Sequence, residues 1–524
     1  MSKAEKTRAS KRKYISQNQQ VIEGFESPFE QKLVSKNRWI LLANNLPWDV
    51  LASVYNKQMK NQFMGASSIN ARVVIGAIMI KHLLKLSDEE VIQQIQENMY
   101  LQYFIGYSSF STEAPFDASL FVTIRNRLGH GVIAELNEKI VLPPGVVFEK
   151  PSEIAIKEQN RDDGGQEAQV EVTDQAIEND APSNADKIAV NNGSLLMDAT
   201  VAPQNIKYPT DLELLNEARE KTDELIDHLN GLLPAIKRPR THRVKAQRDF
   251  LQTAKKKSKS GNEIRRANKK QLQYLARNHK AIDRILDGNK EIRFSTKQLK
   301  YYFVTKTLYA QQLQMYVEKS HQVDDRIVSL HQPHVRPMVR GKASARTEFG
   351  AKLQVSLVNG YTFLDGLSWN AFNEGTSLDQ SVENYKKRFG FYPAEVLADK
   401  IYCTLKNRSY LKEKGIRLMA KPLGRPSAVP IHIRPGARNP IEGKFGQAKT
   451  AYGLDKIKAK LKNTSESWIA SILLVLNLVK LAGAVPYCLF SIEIRIHKCL
   501  NSLIYQKHIN YYRFSALPFF KLIQ

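Results

Sequence analysis

Predicted strands in the second half of this 524-residue chain limit its fold more than any other feature of the sequence. Residues 351–358 alternate between apolar and polar side chains, Asn359-Gly360 is a strong hairpin signal, and 361–367 form the return strand. Two apolar runs, at 194–201 and 395–399, predict further strands. Helical patterns separate these strands, and that order indicates an α/β fold in which helices cover a mixed sheet.

Helical periodicity dominates the rest of the chain. A capping box at Thr210 and Glu213 opens a long helical segment between the first strand and the hairpin. Upstream, residues 28–140 are helical throughout, with a second capping box at Ser87 and Glu90. The short turns between these N-terminal helices suit either a helix-turn-helix-like module or a plain helical bundle.

The charge of the chain points to a polyanionic partner, nucleic acid before membrane. Lysines and arginines number 78 against 52 acids, which leaves a net charge of +26 and an isoelectric point near 9.7. Within 237–270 there are fourteen basic residues and two acids. Such a run is either a solvated surface or a nucleic-acid contact. We favour the contact, because the run would repel itself without an anion nearby.

Other features of the sequence are those of a cytosolic protein. The basic N-terminus has no apolar segment behind it, so it does not have the pattern of a signal peptide. Cys403, Cys488 and Cys499 form no CxxC and no metal-ligand spacing, and we expect reduced thiols. The longest apolar run, 468–490, is interrupted by Lys480. We expect a buried helix there rather than a membrane span.

Three carboxylates occupy positions from which they can act together. Asp198 lies near the end of the first predicted strand, Asp399 ends a later strand, and Glu442 lies at the start of a helix. Adjacent strand ends would place the two aspartates side by side, and a helix packed over them would add the glutamate. Hard oxygen ligands of this kind suit Mg²⁺ or Mn²⁺, and two such ions support phosphoryl transfer.

Glu442 also has a simpler explanation. Asn439 is a suitable helix cap, Pro440 suits the first helical position, and a glutamate at the third position can bond back to the cap. Two cations favour the other interpretation, a site that holds metal ions and a phosphate backbone. Arg438 lies just before the helix, and Lys449 follows Glu442 by about two turns. The residues alone leave both roles open.

Three short motifs surround these carboxylates: Leu-Met-Asp198-Ala-Thr, Ala-Asp399-Lys-Ile-Tyr402 and Asn-Pro-Ile-Glu442-Gly-Lys-Phe-Gly-Gln-Ala-Lys449. They resemble the motifs of bacterial insertion-sequence DDE transposases, and most closely those of the insertion sequence five group. Residues 28–140 are similar to that group's N-terminal transposase domain. Together these likenesses cover nearly the whole chain outside the acidic segment and the tails.

The resemblance implies a ribonuclease-H-like core, a two-metal mechanism with Mg²⁺ or Mn²⁺, and double-stranded DNA as the substrate. Asp198, Asp399 and Glu442 would hold the metals, and Tyr402 is a further candidate beside the second aspartate. Four basic residues would contact phosphates near the scissile bond: Arg438, Lys449, Lys400 and Lys444. The family's chemistry implies a homodimer on the terminal inverted repeats and target DNA, located in the cytoplasm with the nucleoid and not at a membrane.

Two departures from the family pattern matter. Pro435 stands where the related signature Tyr-xx-Arg-xxx-Glu-xxxxxx-Lys has its tyrosine. The two aspartates are 201 positions apart, so we interpret the helical block at about 211–325 as an insertion after the first strand. Only 43 positions separate Asp399 from Glu442. That interval leaves no room for the large insertion that in some relatives supplies a tryptophan to hold a flipped base.

These observations predict an α/β catalytic core with a ribonuclease-H-like mixed sheet and a helical insertion, preceded by an all-α, helix-turn-helix-like N-terminal domain. Residues 158–190 contain nine acids and two bases, which is typical of a linker without a core. The predicted parts are a basic disordered tail (1–27), a DNA-binding domain (28–150), an acidic linker (151–192), a catalytic domain (193–485) and a C-terminal tail (486–524).

The function expected from the sequence is that of a transposase, which cuts DNA at the ends of its element and joins those ends to target DNA. Two alternatives remain. One is a non-catalytic DNA-binding protein derived from a transposase, although the presence of all three carboxylates with Arg438 and Lys449 argues against decay. The other is a metal-dependent nuclease that cuts without joining, which the sequence does not separate from a transposase.

Overall fold

The computed structural model describes residues 32–59, 68–142, 191–234, 237–339, 347–421 and 436–483. The chain divides into two compact units. The first unit comprises the chain up to Val141, Thr450–Gly453 and the residues from Ser467 on; the second comprises Leu142–Lys449 and Leu454–Glu466. The predicted tails, most of the acidic linker, Pro435, Cys488 and Cys499 lie outside the described residues. A segment late in the chain therefore shares a unit with the N-terminal helices.

The N-terminal part of the first unit is helical, as predicted. Its described helices are α1 (Arg38–Asn45), α2 (Trp48–Lys57), α3 (Ala71–Leu84), α4 (Asp88–Glu97), α5 (Met99–Ile105) and α6 (Leu120–Val141). The predicted capping box is confirmed at the start of α4, where Ser87 and Glu90 exchange hydrogen bonds. α6 bends at Gly129, whose φ of 57° is accessible to glycine at little cost.

The second unit is built around a mixed sheet. Its described strands are β1 (Ser194–Pro203), β2 (Arg336–Val339), β3 (Thr347–Val358), β4 (Tyr361–Ser368), β5 (Glu395–Leu397) and β6 (Arg417–Met419). They follow the order β2-β3-β1-β5-β6, and β4 also pairs with β3. β3 is antiparallel to its neighbours, whereas β5 is parallel to both β1 and β6. The predicted hairpin is confirmed, with Asn359 and Gly360 at positive φ.

Helices interrupt and cover this sheet. Those of the second unit are α7 (Asp211–Leu232), α8 (Arg243–Ala254), α9 (Gly261–Gly288), α10 (Thr296–Glu318), α11 (Leu378–Phe389), α12 (Leu405–Glu413) and α13, which begins at Asn439. α7 to α10 lie between β1 and β2 in the chain, where the sequence predicts an insertion. They bury two apolar clusters of their own, one around Leu215, Leu275 and Leu308 and the other around Ile226 and Ile282. This predicted insertion, here called the inserted block, therefore has a core to which Ile327 and Leu330 after α10 also contribute.

A long apolar helix, α14 (Lys462–Gly483), follows near the end of the described chain. By length and composition it is the one described helix that could cross a membrane. The protein buries 67% of its most apolar stretch, which supports the predicted core helix. The rest of the run predicted to be buried, beyond residue 483, lies outside the described residues.

A buried charge cluster ties α14 into the first unit. Asp88 accepts two hydrogen bonds of 2.8 Å from Arg125, and its carboxylate lies 2.9 Å from Lys81 Nζ. Both cations also face the ring of Trp468, a residue of α14. Burial disfavours the ionised form of Asp88, but the hydrogen bonds from Arg125 and Lys81 outweigh it, so the pKa of Asp88 is lowered. One carboxylate is thus the shared counter-ion of two buried cations.

Asp88→Asn should strongly destabilise this unit. The change removes the carboxylate that both buried cations contact, and breaking such a buried charge pair typically costs about 3–5 kcal/mol. Because the folded-state pKa of Asp88 is depressed, its contribution is present above the unfolded-state pKa and is lost as the pH falls through the folded-state value. The melting temperature of the variant should therefore lie well below that of the parent at neutral pH, and the difference should shrink in acid.

Glu89→Gln is the matched control for this change. Glu89 is exposed in the same first turn of α4, so the control removes the same charge from the same helix end. It should melt close to the parent. Equal melting temperatures for Asp88→Asn and Glu89→Gln would contradict the importance of the buried cluster.

Candidate active site

Two aspartates lie side by side on neighbouring parallel strands. The register pairs Leu196 of β1 with Leu397 of β5, which brings Asp198 and Asp399, each two residues further on, to the same level. Asp198 remains within β1 and is largely buried, whereas Asp399 follows β5 at the start of a short 3₁₀ turn and is half-exposed. The structure therefore places these two strand ends side by side.

Arg438 joins the two aspartates. Its Nη2 donates to Asp198 Oδ2 at 3.0 Å, and its Nη1 lies 3.3 Å from Asp399 Oδ1. Burial raises the pKa of Asp198; the Ala199 backbone N–H and the Arg438 charge oppose this rise. The nearby carboxylates of Glu374 and Asp399 add to it. The guanidinium is thus the counter-ion of a buried acid that has two acidic neighbours.

Arg438 also marks the start of helix α13. The carbonyl of Arg438 accepts hydrogen bonds from the backbone N–H groups of Ile441, at 3.2 Å, and Glu442, at 3.5 Å. Arg438 therefore occupies the cap position, and Asn439 is the first helical residue. Glu442 comes four residues after the cap, whereas a capping box requires three. The simpler explanation of Glu442, as the partner of Asn439 in a capping box, does not fit this helix start.

Glu442 does not join the two aspartates in a ready metal site. It is exposed on α13, one helical turn beyond Arg438. In the part of the chain that the structure describes, no group of three His, Cys, Asp or Glu residues is arranged to hold a metal ion. Asp198 and Asp399 do supply hard oxygen donors, which suit a divalent cation. The donor chemistry fits such an ion, while the arrangement shown is an arginine-bridged acid pair.

The remaining predicted basic residues lie on the same two elements. Lys400 is exposed in the 3₁₀ turn that directly follows Asp399. Lys444 and Lys449 are partly buried on α13, and burial lowers the pKa of Lys444. These cations therefore lie in the turn after β5 and along α13. Their contact with DNA phosphates stays a prediction.

Sequence reasoning missed Glu374. Its carboxylate lies 2.9 Å from Lys352 Nζ and close enough to Asp198 to raise the pKa of that residue. The signal that could have found it is the following Gly375. A Cβ at Gly375 would lie 2.7 Å from the carbonyl oxygen of Ile401, so only glycine lets this loop approach the turn after Asp399.

Tyr402 is fully buried next to the acid pair and is not exposed at the surface of the site. Its hydroxyl donates to Gln354 Oε1 at 3.0 Å, and Gln354 also accepts from the hydroxyl of Ser377. Burial raises the pKa of Tyr402, so it is neutral at physiological pH. These contacts indicate a role in supporting the turn that carries Asp399.

Arg438→Gln should raise the pKa of Asp198 further. The change removes the positive charge 3.0 Å from its carboxylate, while burial and the acidic neighbours still disfavour ionisation. ¹³C NMR of labelled aspartate carboxyls, with the signal assigned from Asp198→Asn, measures the titration. Arg438→Lys is the control, because it keeps the charge and loses the planar fork. An unchanged pKa in Arg438→Gln would show that the guanidinium is not the counter-ion in solution.

Two parts of the chain match models of protein families. Residues 27–127 match the family described as "Transposase domain (DUF772)", and residues 396–479 match "Transposase DDE domain". The second match includes Asp399 and Glu442. The matches confirm the predicted resemblance to bacterial insertion-sequence DDE transposases. The finer assignment to the insertion sequence five group stays a prediction.

One curated relative is a Rhizobium meliloti protein named "Uncharacterized protein ORF8 in nfe locus". It is 34% identical over 97 residues, which is 18% of this chain and 46% of the relative. The chain therefore spans just under half the length of this relative. No solved structure matches the chain significantly.

Proposed function

We propose that this protein is a transposase that cuts DNA at the ends of its own mobile element and joins those ends to target DNA. The observation that carries the proposal is the acid pair of Asp198 and Asp399 on adjacent parallel strands, held by Arg438 at the start of the helix that carries Glu442. The match of residues 396–479 to a transposase DDE domain supports the same reaction.

The core belongs to the ribonuclease-H-like class in this proposal. The support is the strand order β4-β3-β1-β5-β6, in which an antiparallel hairpin leads back to β1 and two parallel strands follow on its other side. Asp198 lies on the central strand of that series. The helices α7 to α10 enter after this strand, so the insertion enlarges the protein without breaking the strand pairs that position the acids.

Asp198 and Asp399 are the proposed ligands of two divalent ions, Mg²⁺ or Mn²⁺, with Glu442 as the third carboxylate. When bound, such ions activate an attacking oxygen and stabilise the leaving oxygen of a phosphodiester. The chain's own cations have a separate task. Lys400 and Lys444, together with Lys449, neutralise and orient the DNA phosphates beside the acids, which fixes position without reading sequence.

The other parts of the protein have proposed roles on DNA. The N-terminal helices read the terminal inverted repeats of the element, and the basic residues at 237–270 hold the phosphate backbone. Two element ends must be processed together, so the chain acts as a homodimer, in the cytoplasm with the nucleoid. A nuclease without joining activity would release cut ends but give no product joined to target DNA.

Glu442→Gln should fold and bind DNA like the parent but lose Mg²⁺-dependent cleavage by orders of magnitude. The neutral amide of glutamine is a poor replacement for a carboxylate ligand of Mg²⁺. Because Glu442 is exposed and does not form a capping box, the change should have little effect on stability. The measurement is cleavage of a labelled duplex that carries the element end, alongside a thermal melt.

Glu413→Gln is the matched control for this experiment. Glu413 is an exposed glutamate at the end of α12, where its contact is an ion pair with the neighbouring Lys414. The control should cleave like the parent. Near-normal cleavage by a well-folded Glu442→Gln protein would remove Glu442 from the proposed site.

Binding to element-end DNA should weaken steeply with salt, and the turn between α8 and α9 should contribute to that slope. Lys255, Lys257 and Lys259 are exposed there. Changing all three to glutamine should reduce the slope of log K against log salt by up to about 2.7, at about 0.9 for each phosphate that the variant no longer neutralises. Fluorescence anisotropy between low and physiological salt measures the slope.

A second triple variant controls for total charge. Lys280, Arg284 and Lys290 are exposed elsewhere in the insertion, outside 237–270, and their replacement by glutamine removes the same charge. This control should keep most of the parental slope. Equal slopes for the two triple variants would mean that the α8–α9 turn does not bind the DNA backbone.

A further inference from the structure

An apolar stripe runs along the outer face of α10. Leu299, Phe303, Leu313 and Val317 have exposed fractions of 43%, 58%, 38% and 68%, and Ala310 between them is exposed as well. The opposite face of the same helix supplies Leu308 to the core of the inserted block. The exposed residues are therefore not the core face of a badly packed helix; they form a second apolar face on a helix whose first face is already buried.

The spacing of this stripe is that of a helix pair. Successive members of the stripe are four, seven, three and four residues apart. This is the spacing of a 3.5-residue repeat in which one position, Lys306, is not apolar. Lys306 turns aside to form an ion pair of 2.9 Å with Asp283. A repeat of 3.5 rather than 3.6 residues keeps a seam facing a partner helix over several turns when the two helices supercoil around each other.

The stripe is also symmetric about its own midpoint. Leu299 and Val317 lie equally far from position 308 on either side, and so do Phe303 and Leu313. When two copies of α10 run antiparallel, a large residue therefore meets a large residue at both ends of the contact. The stripe carries a small residue, Ala310, near its centre, which lets the two helices approach closely, and Thr307 lies at the same level on one flank of the stripe.

We infer that α10 is a docking surface for a second copy of this chain, paired antiparallel through this stripe. The contact is isologous, because the same patch on both copies satisfies a two-fold axis near Thr307. Phe303 packs against Leu313 of the second copy, and Leu299 packs against Val317 of the second copy. This inference rests on the proposed function and deepens it by giving the homodimer a surface and an orientation.

The charges beside the stripe favour the antiparallel orientation. Lys300 lies near the N-terminal end of α10, where it also donates to the carbonyl of His331, and Glu318 lies five turns later on the same flank. An antiparallel pair brings Lys300 of one copy beside Glu318 of the other copy. A parallel pair would instead place the two copies of Lys300 beside each other. One pair of 23-residue helices makes a small interface. We therefore expect association in about the micromolar range without DNA.

Analytical ultracentrifugation of the full chain tests the surface without DNA or metal. The parent should form a dimer, and Phe303→Glu should weaken its association about 30-fold or more, because each dimer then buries two unpaired carboxylates within the contact. Val244→Glu is the control, since Val244 is 79% exposed on α8 of the same inserted block. It should dimerise like the parent. At a concentration below the dissociation constant of the dimer, all three proteins should share one melting temperature.

Crosslinking tests the orientation. With a short bismaleimide, Thr307→Cys should give a crosslinked dimer, because the two-fold axis places the two introduced thiols close together. Val317→Cys alone should not, because the second copy offers Leu299 at that position; the parent with its native cysteines is the control. A monomeric parent, an unaffected Phe303→Glu dimer, or efficient crosslinking of Val317→Cys alone would overturn the proposal. None of these measurements depends on DNA cleavage. A failure of the proposed dimer surface is therefore distinguishable from a failure of the proposed function.

Discussion

The contact of one guanidinium with two aspartates is the interaction on which the candidate site depends. Asp198 is largely buried in the central strand and faces the carboxylates of Asp399 and Glu374. Like charges in such a place repel one another and disfavour ionisation. Arg438 offsets that repulsion, and its carbonyl also accepts the first hydrogen bonds of α13. The same residue therefore holds the acids together and sets where the helix begins.

This arrangement explains how a fold with a large insertion keeps its site. The parallel pairing of β1 with β5 sets the level of the two aspartates, and that pairing does not involve α7 to α10. Helices α7 to α10 bury two apolar clusters, one of which also includes Ile327 and Leu330 from the segment that leads into β2. The insertion is then available for other tasks: a basic turn between α8 and α9 suits DNA phosphates, and the outer face of α10 suits a second copy.

The sequence is sufficient where local chemistry decides the structure. Asn359-Gly360 favours positive φ and makes the hairpin, and Ser87 with Glu90 caps α4, as predicted. Distant contacts are not predictable in this way. Arg438 is 240 positions from Asp198 in the sequence, and no hydrophobic periodicity predicts a contact between residues so far apart. The sequence also predicts the start of α13 one residue too late, because Arg438 and not Asn439 occupies the cap position.

Iron-directed cleavage of the protein tests the central claim, that these acids form one divalent-metal site, most directly. Fe²⁺ bound in place of Mg²⁺ produces hydroxyl radicals that cut the nearby backbone when ascorbate and peroxide are added. We predict cuts close to Asp198, Asp399 and Glu442, which excess Mg²⁺ suppresses and Asp198→Asn abolishes. Cuts that fall elsewhere in the chain, or that persist unchanged in Asp198→Asn, would contradict the account.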